Sequence, residues 1–131
     1  MKILTLFGTR PEIIRLHLII KKLDFFCTQI LVHTGQNYDT NLKDIFLNTL
    51  LKDRKIDYSI NAKGTFAEQI SIMFTELEKI LIKEKPDKCL ILGDTNSALC
   101  SILMKRFGLP VYHMEAGNRS FNPESPEEVN R

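Results

Sequence analysis

The sequence has no tryptophan, only three cysteines and almost no net charge, and each shortage removes a class of protein. Cys27, Cys89 and Cys100 are odd in number, and none stands in a CxxC spacing. A disulfide scaffold is therefore excluded, and no zinc-type cluster of cysteine and histidine appears. The apolar surroundings of Cys89 and Cys100 predict buried, inert thiols, and a reduced, cytoplasmic setting fits them. With 18 Lys+Arg against 16 Asp+Glu, the formal net charge is +2. No broad field of one sign would draw nucleic acid or an anionic membrane. No apolar run reaches the length of a membrane span. The opening MKILTLFGTRPE breaks at Gly8, Arg10, Pro11 and Glu12, before a signal-peptide core is complete. Two nucleotide signatures, GxGxxG and the P-loop, are missing as well. No metal or organic cofactor is expected.

What is present suffices for one packed domain: 131 residues, 44% of them hydrophobic. Lys2 to Phe7 reads as a fully buried strand. Thr9-Arg10-Pro11-Glu12 opens a helix, with Thr9 as cap, Pro11 in the first turn and Glu12 three residues on. Gln29 to His33 is a second strand, and a helix is expected over about Tyr38 to Leu47. Asp57 to Ile60 reads as a short third strand. Thr65 and Glu68 form another capping box and open the longest helix, to about Glu84. Phe66, Ile70, Met73, Phe74, Leu77 and Leu81 recur there at helical spacing and form a core stripe. Lys88 to Leu92 is a fourth strand. A helix from Thr95 to Gly108 follows, and Pro110 to His113 is a fifth strand. This alternation predicts an α/β fold, a doubly wound, Rossmann-like parallel sheet ordered 3-2-1-4-5. PEEVNR at the end reads as a helix start.

In such a sheet, ligands bind beyond the carboxyl ends of the strands. The polar, glycine-bearing turns fall there: Gly8-Thr9-Arg10, His33-Thr34-Gly35-Gln36, Gly93-Asp94-Thr95 and Glu115-Ala116-Gly117. Gly8-Thr9-Arg10 has two readings. Its amides, the helix dipole and Arg10 suit a phosphate, or Thr9 and Glu12 simply cap a helix beside a solvated arginine. Asp94, by position, reads as a helix cap. Glu124, Glu127 and Glu128 read as solvated surface, and His33 and His113 as hydrogen-bonded structural residues.

Together these turns resemble one family, the non-hydrolysing UDP-N-acetylglucosamine 2-epimerases. The matching stretches are FGTRPEIIR at 7–15, HTGQNYD at 33–39, GDTNS at 93–97, HMEAGNR at 113–119 and PEEVNR at 126–131. They come in the family's order and cover the whole chain. The ending is similar to the branch that acts on modified UDP-N-acetylamino sugars. The resemblance implies a GT-B-like two-domain fold with the active site between domains. Residues 1–131 would then be an incomplete N-terminal Rossmann-like domain without the second one, either a fragment or a truncated gene product.

The implied chemistry is inversion at C2 of a UDP-sugar, for cell-surface polysaccharide precursors. The C2 proton is poorly acidic because C1 is not a carbonyl. The family's route eliminates UDP to leave a 2-acetamidoglycal and then adds UDP back on the other face. By resemblance, Asp94, Glu115 and Glu127 are the catalytic carboxylates, and neighbouring carboxylates are expected to raise at least one pKa. Arg10 and Arg15 face the diphosphate, and Gly8, Thr9 and Gln36 complete the substrate-binding set. The family's catalytic histidine belongs to the second domain; His33 and His113 match other positions. A homodimer is implied too. A phosphoacceptor receiver domain has a similar sheet, but it needs acidic residues after the first strand, where Gly8-Thr9-Arg10 stands. A non-catalytic remnant that folds and self-associates is the remaining alternative.

Overall fold

Hydrophobic residues on both sides of the first strand decide the architecture. In the computed structural model, which describes residues 1–35, 49–52 and 54–131, Lys2–Phe7 forms β1 at the centre of the sheet. Leu4 and Leu6 point into one core and Ile3 and Phe7 into another, as the two-residue period of a strand requires. Arg10–Phe26 is α1, Thr28–His33 is β2, Tyr58–Ser59 is β3 and Phe66–Glu84 is α2. Lys88–Leu92 is β4, Cys100–Arg106 is α3, Val111–Met114 is β5 and Pro126–Asn130 is α4. The sheet runs β3-β2-β1-β4-β5 with all pairs parallel, as the sequence predicts. The expected helix over Tyr38 to Leu47, and Gln36, lie outside the described residues.

One core joins Leu4, Leu6, Val32 and Ile91 to Met73, Leu77 and Leu81 of α2 and to Cys100 and Met104 of α3. The other sets Ile13, Leu16 and Ile20 of α1 against Ile3, Phe7, Leu31 and Leu92. Helix α2 starts where its capping box predicts. Thr65 Oγ1 accepts from the Glu68 amide at 3.3 Å, and the Glu68 carboxylate accepts from the Thr65 amide at 2.7 Å.

Several boundaries differ from expectation, and three show a local origin or form. β5 begins at Val111 because Pro110 has no amide to give; its carbonyl still accepts from Cys89 N at 2.9 Å. β3 shrinks to two residues, although Asp57 N still donates to the Leu31 carbonyl at 3.1 Å before it and Ile60 N to the His33 carbonyl at 2.8 Å after it. The helix expected from Thr95 starts as a tight 3₁₀ turn over Asn96–Leu99 before α3. Its Ala98 amide donates to the Thr95 carbonyl at 2.9 Å, so Thr95 holds the cap position that the sequence gives to Asp94.

Candidate active site

All strands are parallel, so their carboxyl ends share one rim. Turns after β1, β4 and β5, joined by α4, enclose there an open cleft of about 580 Å³. Thr9, Glu12, Arg15, Asp94, Thr95, Glu115, Ser120, Glu127 and Arg131 line it. Three carboxylates picked from the sequence, Asp94, Glu115 and Glu127, thus meet on one surface with Arg15 and Thr9. Gly8 is buried and Arg10 half-buried at the start of α1; neither forms part of the cleft wall.

Asp94 follows β4 at a sharp turn through Gly93, whose φ of +73° suits glycine. Its carboxylate is not a helix cap but an ion-pair partner of Arg131, and both side chains are only 18% exposed. Asn130 Nδ2 donates to the Asp94 carbonyl at 2.9 Å and to Asn96 Oδ1 at 3.1 Å. α4 is therefore tied to the turn after β4. Glu115 follows β5 in a left-handed conformation, φ +58°, a strain of order 1–3 kcal/mol for a residue other than glycine. Its Oε2 lies 2.5 Å from Arg15 Nη1. Asp94 and Glu115 each face an arginine rather than each other.

Glu128 corrects the expectation of a solvated carboxylate. Its side chain is 8% exposed and paired with Arg119 and with Arg131. Ser120 donates to Glu128 Oε2 from its amide at 2.8 Å and its hydroxyl at 2.9 Å. These bonds, the Ser120 amide first, hold its pKa below the ordinary glutamate value. Glu127 beside it opens to the cleft. His113 Nε2 sits 2.5 Å from the Gly93 carbonyl, a structural contact. His33 is buried against Phe7, with ring centroids 5.3 Å apart.

The sequence also gives Glu12 too small a part. It is 2% exposed, and its Oε2 accepts from the Gly8 amide at 2.9 Å, the Thr9 amide at 2.6 Å and Thr9 Oγ1 at 2.8 Å. Glu12 Oε1 accepts from Thr95 Oγ1 at 3.3 Å. Burial raises its pKa, and these hydrogen bonds oppose the rise. The start of α1 does gather amides around an anion, but that anion is its own carboxylate. Nearby, Thr34 and Ser97 share a buried hydroxyl pair at 2.8 Å across β1. Among the described residues, no group of three His, Cys, Asp or Glu side chains is placed to hold a metal ion, and no helix is long and apolar enough to cross a membrane.

Residues 21–131 match the family model described as UDP-N-acetylglucosamine 2-epimerase. The chain is 41% identical over 135 residues to a UDP-2,3-diacetamido-2,3-dideoxy-D-glucuronate 2-epimerase of Pseudomonas aeruginosa, covering 100% of this chain and 38% of the relative. It is 43% identical to a UDP-N-acetylglucosamine 2-epimerase of Methanococcus maripaludis, covering 99% and 36%. The crystal structure of the Methanocaldococcus jannaschii UDP-GlcNAc 2-epimerase in complex with UDP-GlcNAc and UDP superimposes with a TM-score of 0.91 at 41% identity, covering 100% of this chain and 37% of that one. The chain thus spans between 36% and 38% of the length of these proteins.

Proposed function

The chain belongs to the UDP-N-acetylglucosamine 2-epimerase family, and we propose that it supplies the acid–base wall of a site that inverts C2 of a UDP-N-acetylhexosamine. The observation that carries this reading is the meeting of Asp94, Glu115, Glu127 and Arg15 on one cleft. In the proposed reaction a carboxylate takes the C2 proton while the C1–O bond to UDP breaks, leaving a 2-acetamidoglycal and UDP. UDP then adds back at C1, and a carboxyl group delivers a proton to the opposite face of C2. Carboxylates close to C1 and C2 can carry both transfers, and Arg15, on the cleft wall, offsets the charge that develops on the departing diphosphate. Thr9 Oγ1 and the Gly8 and Thr9 amides serve indirectly, by fixing the Glu12 carboxylate under the turn.

In this reading the opposite wall, with a histidine and most of the uridine site, comes from a second domain. The setting is the cytoplasm and the product serves cell-surface polysaccharide synthesis. The 41% identity to the P. aeruginosa protein favours a second reading of the substrate, a modified UDP-N-acetylamino sugar. The experiment replaces the matching N-terminal segment of the M. jannaschii epimerase with residues 1–131 and follows both substrates by proton NMR. C2-inverted product supports the reading. A folded chimaera with no turnover of either substrate overturns it.

A further inference from the structure

The contact between Arg15 and Glu115 raises a conflict within the cleft. The proposed function, on which the following inference rests, needs the arginine for a diphosphate and the carboxylate for a proton, yet each occupies the other at 2.5 Å. We propose that the diphosphate of a bound nucleotide competes with Glu115 for Arg15, so that ligand binding itself releases the Glu115 carboxylate.

The two side chains come from different elements, Arg15 from α1 and Glu115 from the turn after β5, so separating them does not unravel either. The Arg15 side chain is 54% exposed and that of Glu115 is 32% exposed. An exposed arginine on a long, flexible stem exchanges partners at little cost, because such pairs contribute weakly to stability. Arg131 and Asp94, by contrast, form a pair with both side chains 18% exposed, and Arg131 also holds Glu128. The cleft thus carries one fixed pair and one exchangeable pair. A diphosphate bears more charge than a carboxylate and accepts two parallel guanidinium bonds, so it draws Arg15 away. Glu115 stays where it is, because its left-handed backbone sits in the β5 turn. Without ligand the Glu115 carboxylate is held by Arg15. With ligand it faces the sugar unpaired.

Competition places an unusual demand on binding: removing a carboxylate from the site tightens it only through Arg15. UDP affinity is measured by NMR titration for the two-domain chimaera carrying residues 1–131 and for its Glu115→Gln, Arg15→Ala and double variants. Competition predicts that Glu115→Gln binds UDP about two- to fivefold more tightly than the parent chimaera, the factor expected for an exposed pair. In the Arg15→Ala background the same substitution leaves affinity unchanged. An equal gain in both backgrounds would reduce the effect to general charge repulsion and overturn the competition. So would unchanged or weaker binding by Glu115→Gln. UDP binding by none of the four proteins would remove the nucleotide reading itself, and the competition with it. Binding that ignores Glu115 would overturn the competition alone.

Discussion

Thr95 Oγ1 donates to Glu12 Oε1 at 3.3 Å, so the turn after β4 is fastened to the helix that follows β1. The same carboxylate already accepts from Gly8 and Thr9. One buried group therefore fixes two edges of the cleft. Replacing it with Ala leaves buried donors without an acceptor and should cost about 1–3 kcal/mol of stability. Urea unfolding followed by circular dichroism measures this, and a loss well below that range would show that water takes over the role.

Glu12 also predicts a pH dependence. Its folded-state pKa is raised by burial, so the folded chain holds this proton more tightly than the unfolded chain. The stability it contributes is fully present below the unfolded value and is lost as pH rises through the folded one. Glu12→Gln, which stays neutral, should lack that loss. The stability difference between the variant and the parent should therefore shift towards the variant as pH rises from about 4.5, the ordinary glutamate value. A difference that stays flat across this window would count against the buried acid.

How much of this was legible in the sequence depends on distance along the chain. The bond from Glu12 to Thr9 lies within one helical turn, and the capping pattern announces it. The bond from Thr95 spans 83 positions and announces nothing. The strand order follows from strand–helix alternation and right-handed crossovers, which need no side-chain detail. Helix α2 is bounded by Thr65, Glu68 and Pro86, all local signals. Glu128 misleads because three polar partners reach it through an irregular turn, where Phe121 takes a φ of +59°. Asp94 misleads similarly: a cap is a local reading, whereas Arg131 arrives from α4.

In a two-domain chimaera carrying residues 1–131, Asp94→Asn and Glu115→Gln should lower kcat far more than they change KM. Loss of general acid–base help costs roughly 100- to 10,000-fold. Arg15→Ala should weaken UDP binding as well as rate, because the diphosphate stays in the site throughout. Wild-type kcat in either carboxylate variant would refute its role. The 131-residue chain by itself should give no C2-inverted product from UDP-N-acetylglucosamine by proton NMR, and measurable turnover would contradict the need for a second wall.

Thiol labelling should distinguish the cysteines. Burial pushes Cys89 and Cys100 up to about 12, so neither forms thiolate at neutral pH. Cys27 is half-buried at the end of α1, its thiol directed at the Leu23 carbonyl. A disulfide reagent should modify Cys27 alone in the native chain and all three in denaturant. Rapid native labelling of Cys89 or Cys100 would mean that the core around α3 opens.

β5 lies at the sheet edge, with Tyr112 53% exposed. Beside it, an apolar groove runs between Ile3, Ile19, Leu23 and Leu90. Unpaired edges with an apolar flank favour self-association. Light scattering after size exclusion should therefore detect species larger than one chain. A single species at 15.1 kDa over a wide concentration range would show that the edge is protected.

The central place of β1 has a consequence for the order of events on the ribosome. The strand is synthesised before its partners, and β2 follows after one helix. Its other neighbour, β4, begins only at Lys88. At ordinary translation rates that interval lasts roughly 4 to 16 seconds. Throughout it, one edge of β1 has no mate, and Leu4 and Leu6 wait for the core that α2 and α3 complete. The nascent chain thus carries its most central strand half-paired, and that waiting time is when a chaperone has the most to bind.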